Sequence, residues 1–236
     1  MEIPPHYARS VDVSYSFIND FSDIADRFNL TDMPLGRVTV DNCAFVARLN
    51  NLTTDKIIST VSVGHRDVLA NKSYIRGLLH LGIKQLLLVQ GPSKISKVSE
   101  LLPYAIKNAE YVGAQISSEA KTRERISAGV KFLVTNMYPN EADVLMLGRL
   151  GFKGEVMISV PEFEDRADIR RLIENGFQVP KSVMDSNDPA HATRRALAEL
   201  LEIAEKAGLT ASAYIVPLRV SALRKWLNDL LAEINK

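Results

Sequence analysis

Short runs of apolar and β-branched residues recur along the chain without the strict alternation of a strand that has one solvated face. A run that is apolar at nearly every position is typical of a parallel strand buried on both faces. Six clear runs cover residues 56–63, 84–90, 111–116, 131–137, 155–160 and 211–218. Two weaker candidates precede them, at residues 1–5 and 28–32. The pattern therefore predicts eight strands.

Helical periodicity fills the intervals between these runs. Residues 13–28 place four large apolar side chains at spacings of three and four, and residues 71–81 repeat that spacing. Further helices are predicted over residues 140–151, 165–176, 188–208 and 221–234. Asp188 suits the cap position of its helix, and Pro189 suits the first helical position. Strands and helices are thus expected to alternate.

The order helix, glycine, strand recurs in the segments LGIKQLLL, AGVKFLV, GFKGEVMI and AGLTASAYI. Such βα repetition predicts a parallel sheet. Eight units in a chain of 236 residues match the size of a (β/α)8 TIM barrel, and we expect a single barrel domain over residues 1–236. The competing prediction is a doubly wound open sheet. No G-x-G-x-x-G motif follows an early strand, which argues against the dinucleotide-binding version of that fold.

Composition narrows the classes of partner. The net charge of +1 gives no overall field that would favour nucleic acid or an anionic membrane. The apolar runs are far shorter than the roughly 20 residues of a membrane helix, and no leader-like segment opens the chain. The single cysteine, Cys43, excludes an internal disulfide, and the four histidines lack metal-ligand spacing. We therefore expect a cytoplasmic protein with a small-molecule ligand and no resident metal.

Polar residues follow most of the predicted strands. In a βα barrel the carboxyl ends of the strands share one face, and functional side chains gather there. This rule selects a set of candidate residues along the whole chain: Glu2, Asp32, Ser62, His65, Arg66, Asp67, Gln90, Gly91, Gln115, Asn136 and Tyr138. We expect them to surround one pocket.

Several of these residues have a plain structural alternative. Glu2 lies between apolar neighbours, where the charged form of a carboxylate is disfavoured and a general acid becomes possible, or it belongs to a frayed terminus. Arg66 and Asp67 would bind an anion or pair with each other, and Asp67 also suits a helix cap. Gly91 would end a strand or let a flat ring approach the backbone. Arg125 would lie on a solvated helix face or reach a phosphate.

Four segments of the chain resemble the methylenetetrahydrofolate reductase family. MEIPP is similar to the family's opening strand E-x-x-P-P, and LTDMPLG with TVSVGHRDVLANKSYIRGLLHLGIKQLLLVQG is similar to its third and fourth strands. RERISAGVKFLVTNMY resembles a segment that meets flavin and substrate, and GEVMISVPEFEDRADIRRLIENGFQVPKSVM resembles the strand and helix that follow. Members of this family are flavin-bearing barrels that reduce methylene-tetrahydrofolate to methyl-tetrahydrofolate.

The resemblance implies roles for the candidates. Glu2 would protonate the pterin, and Asp32 would stabilise the cation in place of the family's aspartate after strand four, where this chain has Gln90. The resemblance implies FAD as the cofactor, with a diffusing deazaflavin or nicotinamide donor as the alternative. The residues expected to bind the cofactor are Thr60, Ser62, His65, Arg66, Asp67, Gln90, Gly91 and Arg125. Gln115, Asn136 and Tyr138 would bind the tetrahydropterin substrate.

The absent aspartate favours a second hypothesis, in which the chain is a catalytically silent barrel paralogue. It would then act as a subunit or binding module of a one-carbon-metabolism complex, as a homo-oligomer or with a partner subunit. A third hypothesis is an unrelated barrel enzyme, such as an aldolase or a phosphate-binding isomerase. Lys84 and Lys131 lie at strand starts, the face that serves stability, and this argues against the third hypothesis.

Overall fold

Strands and helices alternate along the chain in the computed structural model. The structure describes residues 1–4, 11–34, 39–49, 54–91, 93–163, 165–218 and 220–234. The chain divides into two compact units, which we name unit 1 (Met1–Leu133) and unit 2 (Val134–Lys236). We describe each unit by itself.

In its described residues, unit 1 contains four strands and five α-helices, and a fifth strand begins at its end. The strands are β1 (Phe28–Leu30), β2 (Ile57–Ser62), β3 (Gln85–Val89) and β4 (Tyr111–Gln115). The helices are α1 (Val11–Phe21), α2 (Asn42–Val46), α3 (Val68–His80), α4 (Val98–Asn108) and α5 (Glu119–Ala128). Strand β5 (Phe132–Val134) spans the division between the units.

The described residues of unit 2 continue the alternation with two long strands and five α-helices. The strands are β6 (Glu155–Glu162) and β7 (Thr210–Pro217). The helices are α6 (Glu141–Arg149), α7 (Arg166–Glu174), α8 (Lys181–Met184), α9 (Pro189–Lys206) and α10 (Val220–Ile234). None of the helices in the described ranges has the length and apolarity needed to cross a bilayer.

The described strand pairs are all parallel. In unit 1, β1 pairs with β2, β2 with β3 and β3 with β4, and in unit 2 β6 pairs with β7 over eight residues each. Every residue of β2 is buried, including its three hydroxyl residues Ser59, Thr60 and Ser62, as expected of a parallel strand covered on both faces. The prediction of a parallel α/β fold is confirmed. Closure into an eight-stranded barrel stays a prediction, and so does the single-domain assignment.

Seven of the eight predicted strands are confirmed, and the first is reduced to one bridge. Glu2 makes an isolated parallel bridge with Asn29, through hydrogen bonds from Ile3 N to Asn29 O (2.9 Å) and from Asn29 N to Met1 O (2.7 Å). Pro5 of this predicted strand lies outside the described residues. Because Pro4 has no N–H, it cannot donate to a continuing ladder.

The helix boundaries follow the caps that the sequence contains. The Asp188 carboxylate accepts a hydrogen bond from His191 N (2.9 Å), and Pro189 is the first residue of α9, as predicted. Gly129 ends α5 in the left-handed conformation, with φ of 96°, which a residue with a Cβ rarely adopts. The helix predicted over residues 13–28 is shorter than expected. It ends at Phe21, and Phe28 opens β1 instead.

Candidate functional site

Asp32 and Arg66 form a buried ion pair just beyond the carboxyl ends of β1 and β2. Arg66 Nη1 lies 2.7 Å from Asp32 Oδ2, and Nη2 lies 3.0 Å from Oδ1, so both oxygens are engaged. Asp32 Oδ2 also accepts a hydrogen bond from Ser62 N at 2.8 Å. The two side chains are 3% and 17% exposed, respectively, so water screens this pair poorly. We name Asp32, Ser62 and Arg66 the aspartate cluster.

The Tyr74 ring of α3 packs against the face of the Arg66 guanidinium. Arg66 Cζ lies 4.2 Å from the centroid of the Tyr74 ring, within the range of a cation–π contact. The hydrogen bond that Arg66 donates to Asp32 raises the pKa of Arg66, so the guanidinium stays charged. Burial raises the pKa of Tyr74, and its hydroxyl is neutral at physiological pH. That hydroxyl is buried and has no hydrogen-bond partner among the described residues.

Two side chains fix the chain where it leaves β2. Asn71 Nδ2 of α3 donates to Val63 O (2.9 Å), Arg66 O (3.0 Å) and Ser96 Oγ (3.0 Å). Ser96 Oγ lies 2.8 Å from the same two carbonyl oxygens. This network, which we name the amide clamp, gives hydrogen-bond partners to two backbone carbonyls just beyond the end of β2. It sets the position from which Arg66 reaches Asp32.

Gln90 and Gly91 follow β3 and are half-buried. Gln90 Nε2 donates to Ser96 O (2.9 Å), and Gln90 Oε1 accepts from Val98 N (3.2 Å). Gly91 has φ of 67°, and a Cβ there would lie 2.8 Å from Ser62 Oγ and 3.3 Å from His65 Cδ2. The space beside Gly91 is therefore occupied by protein, which favours the strand-end alternative over close approach of a flat ring.

His65 and Asp67 flank Arg66 but differ in their partners. The His65 Nε2 atom is buried and has no hydrogen-bond partner in the part of the chain that the structure describes. A buried nitrogen without a partner is unfavourable unless a ligand or water satisfies it. The Asp67 carboxylate accepts from Ala70 N (2.7 Å) and caps α3. The cap alternative thus holds for Asp67, and the carboxylate that pairs with Arg66 is that of Asp32.

Glu2 and Thr60 lie on one face of the sheet in unit 1. Thr60 Oγ1 donates to Asn29 Oδ1 at 2.9 Å, so these two side chains share a face. Residues in register on parallel strands point the same way, and Glu2 is in register with Asn29. Glu2 is half-buried. The structure therefore places Glu2 on the side of the sheet that Thr60 and Ser62 also face.

Arg125 and Gln115 belong to the last part of unit 1. Gln115 is the final residue of β4. Arg125 of α5 is 7% exposed, and its Nη1 atom has no hydrogen-bond partner among the described residues. Burial lowers the pKa of Arg125. Arg125 is thus not on a solvated face, and its open donor fits an anionic or carbonyl oxygen.

Unit 2 contains the remaining predicted residues, Asn136 and Tyr138. Tyr138 Oη lies 2.9 Å from Thr193 Oγ1, and the Tyr138 backbone is left-handed, with φ of 53°. Burial raises the pKa of Tyr138, which keeps the phenol protonated. Asn136 is exposed after β5. A left-handed residue other than glycine is uncommon, and such residues concentrate at functional sites.

Three residues of the aspartate cluster's surroundings were not predicted as site residues: Asn42, Asn71 and Tyr74. Asn42 resembles Asn71, because its Nδ2 donates to Leu30 O (3.1 Å) at the end of β1 and to Thr60 O (3.3 Å) within β2. The available signal was an asparagine near the start of a helix, where a short polar side chain can bond to backbone. No cluster of three or more metal-ligating side chains occurs in the described ranges.

Most of the residues expected to bind flavin have side-chain contacts within unit 1. Thr60, Arg66, Asp67 and Gln90 use their side chains within unit 1. Ser62 Oγ and the His65 ring fill the space beside Gly91. Two expected residues retain buried atoms with open hydrogen-bonding capacity, His65 and Arg125. These two groups fit polar atoms of a flavin or of another hydride-donating cofactor.

Comparisons with known proteins place the fold. No protein-family model matches the chain, and no curated protein sequence matches it significantly. An uncharacterized protein from Clostridium thermocellum that binds two copies of 5-methyl-5,6,7,8-tetrahydrofolic acid superposes with a TM-score of 0.72. It is 13% identical, and the match covers 99% of this chain and 93% of that one.

A crystal structure of dihydropteroate synthetase with a product superposes with a TM-score of 0.52 at 12% identity, covering 100% of this chain and 92% of that one. Both neighbours are TIM-barrel proteins. At these identities the similarity shows the fold alone.

Proposed function

We propose that the protein binds a reduced pterin of the folate class at the carboxyl ends of β1, β2 and β3. The observation that carries this proposal is the aspartate cluster, a buried carboxylate and guanidinium beside the unpartnered Nε2 atom of His65. The structural neighbour that binds 5-methyltetrahydrofolate supports the choice of ligand.

The chemistry of a pterin suits this cluster. Its pyrimidine ring presents N–H donors and carbonyl and ring-nitrogen acceptors along flat edges. Each carboxylate oxygen can accept two hydrogen bonds, and Asp32 Oδ1 accepts one from Arg66. The His65 Nε2 atom adds a donor or acceptor at a fixed place. A planar, polar heterocycle would satisfy both groups together.

Binding is tested by calorimetric titration with 5-methyltetrahydrofolate under reducing conditions. We expect saturable binding by the wild type and a loss of at least tenfold in affinity for His65→Leu, which removes the ring nitrogens. His80→Leu is the matched control, because His80 lies at the far end of α3. Absence of binding by the wild type, or equal weakening by both variants, contradicts the proposal.

For the reaction, we propose that the ligand is a methylene-tetrahydropterin and that it is reduced to the methyl form. Glu2 donates a proton to one of the two nitrogens that the methylene carbon joins, as the bond between that nitrogen and the carbon breaks. A hydride then adds to the carbon to form the methyl group. The hydride would come from reduced FAD, a reduced deazaflavin or a reduced nicotinamide, which loses two electrons in the transfer, and Arg125 would bind that hydride donor. Breaking that bond leaves a positively charged iminium group at the methylene carbon until the hydride arrives, and Asp32 would stabilise this cation.

The reductase proposal is tested by donor oxidation that depends on methylene-tetrahydrofolate. Glu2→Gln should lower turnover by about a hundredfold or more while leaving pterin affinity unchanged, because general acids contribute at least that much. Glu100→Gln, on the exposed start of α4, is the control. An absorbance spectrum of the purified protein decides between bound flavin and a diffusing donor.

Gln90 favours a second candidate, binding without turnover. The family that the sequence resembles has an aspartate here, whereas the Gln90 amide bonds to Ser96 O and Val98 N in this chain. Its side chain thus serves the loop that follows. A protein that binds 5-methyltetrahydrofolate but oxidises no donor would be a silent binding module. A protein that does both would exclude that candidate.

A further inference from the structure

A groove runs along one face of α9 in unit 2. Its walls are α9, the end of α10 and the residues that open β7, and its volume is about 820 Å³. The α9 residues that line it extend from His191 to Glu205, a length of about 21 Å at the helical rise of 1.5 Å per residue. We name it the α9 groove, and it is long enough to take a short helix.

The α9 groove combines acidic side chains with apolar ones. Arg195 is the one arginine or lysine in its described lining, and His191 is neutral at pH 7. Against that single positive charge stand four carboxylates, an excess of three negative charges in a chain whose net charge is +1. The apolar part includes Ile234, which is 42% exposed at the end of α10. The four carboxylates belong to Glu199, Glu202, Glu205 and Glu233.

The ion pairs along this face of α9 leave its carboxylates open to a partner. Arg195 Nε lies 2.9 Å from Glu199 Oε1, and Lys206 Nζ lies 2.6 Å from Glu202 Oε1. Both pairs join exposed side chains one turn apart, and such pairs contribute little stability. Glu205 is exposed and has no ion-pair partner among the described residues. A partner with positive charge can therefore compete for these groups.

Helix α7, also in unit 2, has an exposed face of the opposite character. Arg166, Arg170 and Ile173 are exposed, and their spacings of four and three place them on one side of the helix. Ile173 is 46% exposed. Arg166 Nη2 donates to the neutral Ser186 O (3.2 Å), and neither arginine has an ion-pair partner in the part of the chain that the structure describes. We name Arg166, Arg170 and Ile173 the basic stripe.

We infer that the α9 groove binds the basic stripe of a second copy of this chain. The stripe is about 10 Å long, so it fits within the groove, and a helix laid into a groove is a common mode of recognition. Its arginines pair with Glu202 and Glu205, and Ile173 covers the apolar part of the groove. This contact uses no residue of the aspartate cluster.

Each chain carries both the groove and the stripe, because both belong to unit 2. Two copies related by a two-fold axis can therefore exchange the contact, so that each groove takes the stripe of the other chain. The opposite charges make the pairing specific and dependent on salt. The inference thus stands or falls separately from the proposed pterin binding.

Charge reversal tests the contact from both sides in the full chain. The groove variant is Glu202→Lys with Glu205→Lys, and the stripe variant is Arg166→Glu with Arg170→Glu. Sedimentation equilibrium should give the wild type a mass of at least twice the 26.2 kDa of one chain. Each variant should need a concentration about tenfold higher or more to associate, because like charges then face each other.

An equimolar mixture of the two variants is the decisive measurement. In the mixture the new lysines of one chain face the new glutamates of the other, so association should return to the wild-type concentration range. Variants that have lost their fold cannot recover in this way, and circular dichroism checks the fold of each. The control is Lys121→Glu with Arg123→Glu, an equal reversal on exposed positions of α5, which should associate like the wild type.

The wild type alone supplies a measurement that needs no variant. Its association should weaken as salt is added, since exposed charges are screened. A wild type that stays monomeric, or whose association is insensitive to salt, would overturn the inference. So would folded variants that associate as the wild type does, or a mixture that stays monomeric.

Discussion

Asp32 and Arg66 are joined by two hydrogen bonds, of 2.7 Å and 3.0 Å, although 34 positions separate them in the chain. The pair connects the segment that follows β1 with the segment that follows β2. A guanidinium and a carboxylate in this paired arrangement combine opposite charges with two parallel hydrogen bonds. Their burial makes each charge dependent on the other.

Removing Asp32 alone should be strongly destabilising. Asp32→Ala leaves the Arg66 guanidinium partly buried without its carboxylate and Ser62 N without its acceptor, so we expect a loss of about 3–5 kcal/mol in the free energy of unfolding. Urea denaturation followed by circular dichroism measures it. The control is Asp32→Ala with Arg66→Met, which removes both charges and should recover part of the loss. A single variant as stable as the wild type would show that the pair contributes little.

Much of the fold was readable from local pattern. The strands β2, β3, β4, β6 and β7 are dense apolar runs, and buried parallel strands require little else. The end of α1 was not readable, because Ile24 and Phe28 continue the helical spacing while the chain turns after Phe21. The helical spacing of apolar residues in the sequence cannot show where a helix ends when tertiary contacts of the following strand decide that point.

The candidate site was readable as a set of positions but not as a set of partners. Asp32, Ser62 and Arg66 were all predicted from their places after strands. The pairing of Arg66 with Asp32 could not be read, because Asp67 is adjacent in sequence and equally acidic. The role of Asn71 was missed for a related reason: its three acceptors lie on segments that only the folded chain brings together.

The amide clamp gives a prediction with a pH dependence. Asn71→Asp replaces a donor to three oxygens with a carboxylate that faces Val63 O and Arg66 O, so we expect a loss of about 3 kcal/mol or more at neutral pH. Acidification protonates the new carboxyl and restores one donor. The difference between variant and wild type should therefore shrink as pH falls from 7 to 5, in chemical denaturation at each pH.

Asn71→Leu is the matched control for that experiment. It also loses the three hydrogen bonds but introduces no titratable group. Its destabilisation, about 2–3 kcal/mol, should stay constant relative to the wild type over the same pH range. If both variants show the same pH profile, charge at position 71 is not what the clamp excludes.

Gly113 in β4 tests the packing of unit 1. A Cβ at Gly113 would overlap the Phe132 ring, which also stacks on Tyr111 with centroids 5.1 Å apart. Because the ring is fully buried and cannot move away freely, Gly113→Ala should cost about 1–3 kcal/mol, measured as a lower urea midpoint with an unchanged slope. Gly113→Ala with Phe132→Leu makes room for the methyl group. If the stability of the double variant equals the sum of the two single effects, the result contradicts direct contact between position 113 and the Phe132 ring.

Cys43 in α2 is expected to be a poorly reactive thiol. Burial, followed by the nearby charge of Asp41, raises the pKa of Cys43 to about 11 from an ordinary 9.0. At pH 8 the thiolate should then be about a hundredfold scarcer than in an unfolded chain, and alkylation by iodoacetamide should slow in proportion. Because the folded pKa is the higher one, the thiol's contribution to stability is complete below pH 9 and is lost as pH rises towards 11. The rate measured against pH gives the thiol pKa directly, and the same measurement in guanidinium chloride supplies the unfolded reference.

Asp41→Asn keeps an oxygen for the hydrogen bond from Cys43 N but removes the charge, so it should lower the thiol pKa and speed alkylation at pH 8. A native profile with its midpoint near 9, or no change on removing the Asp41 charge, would show that neither burial nor Asp41 controls this sulfur.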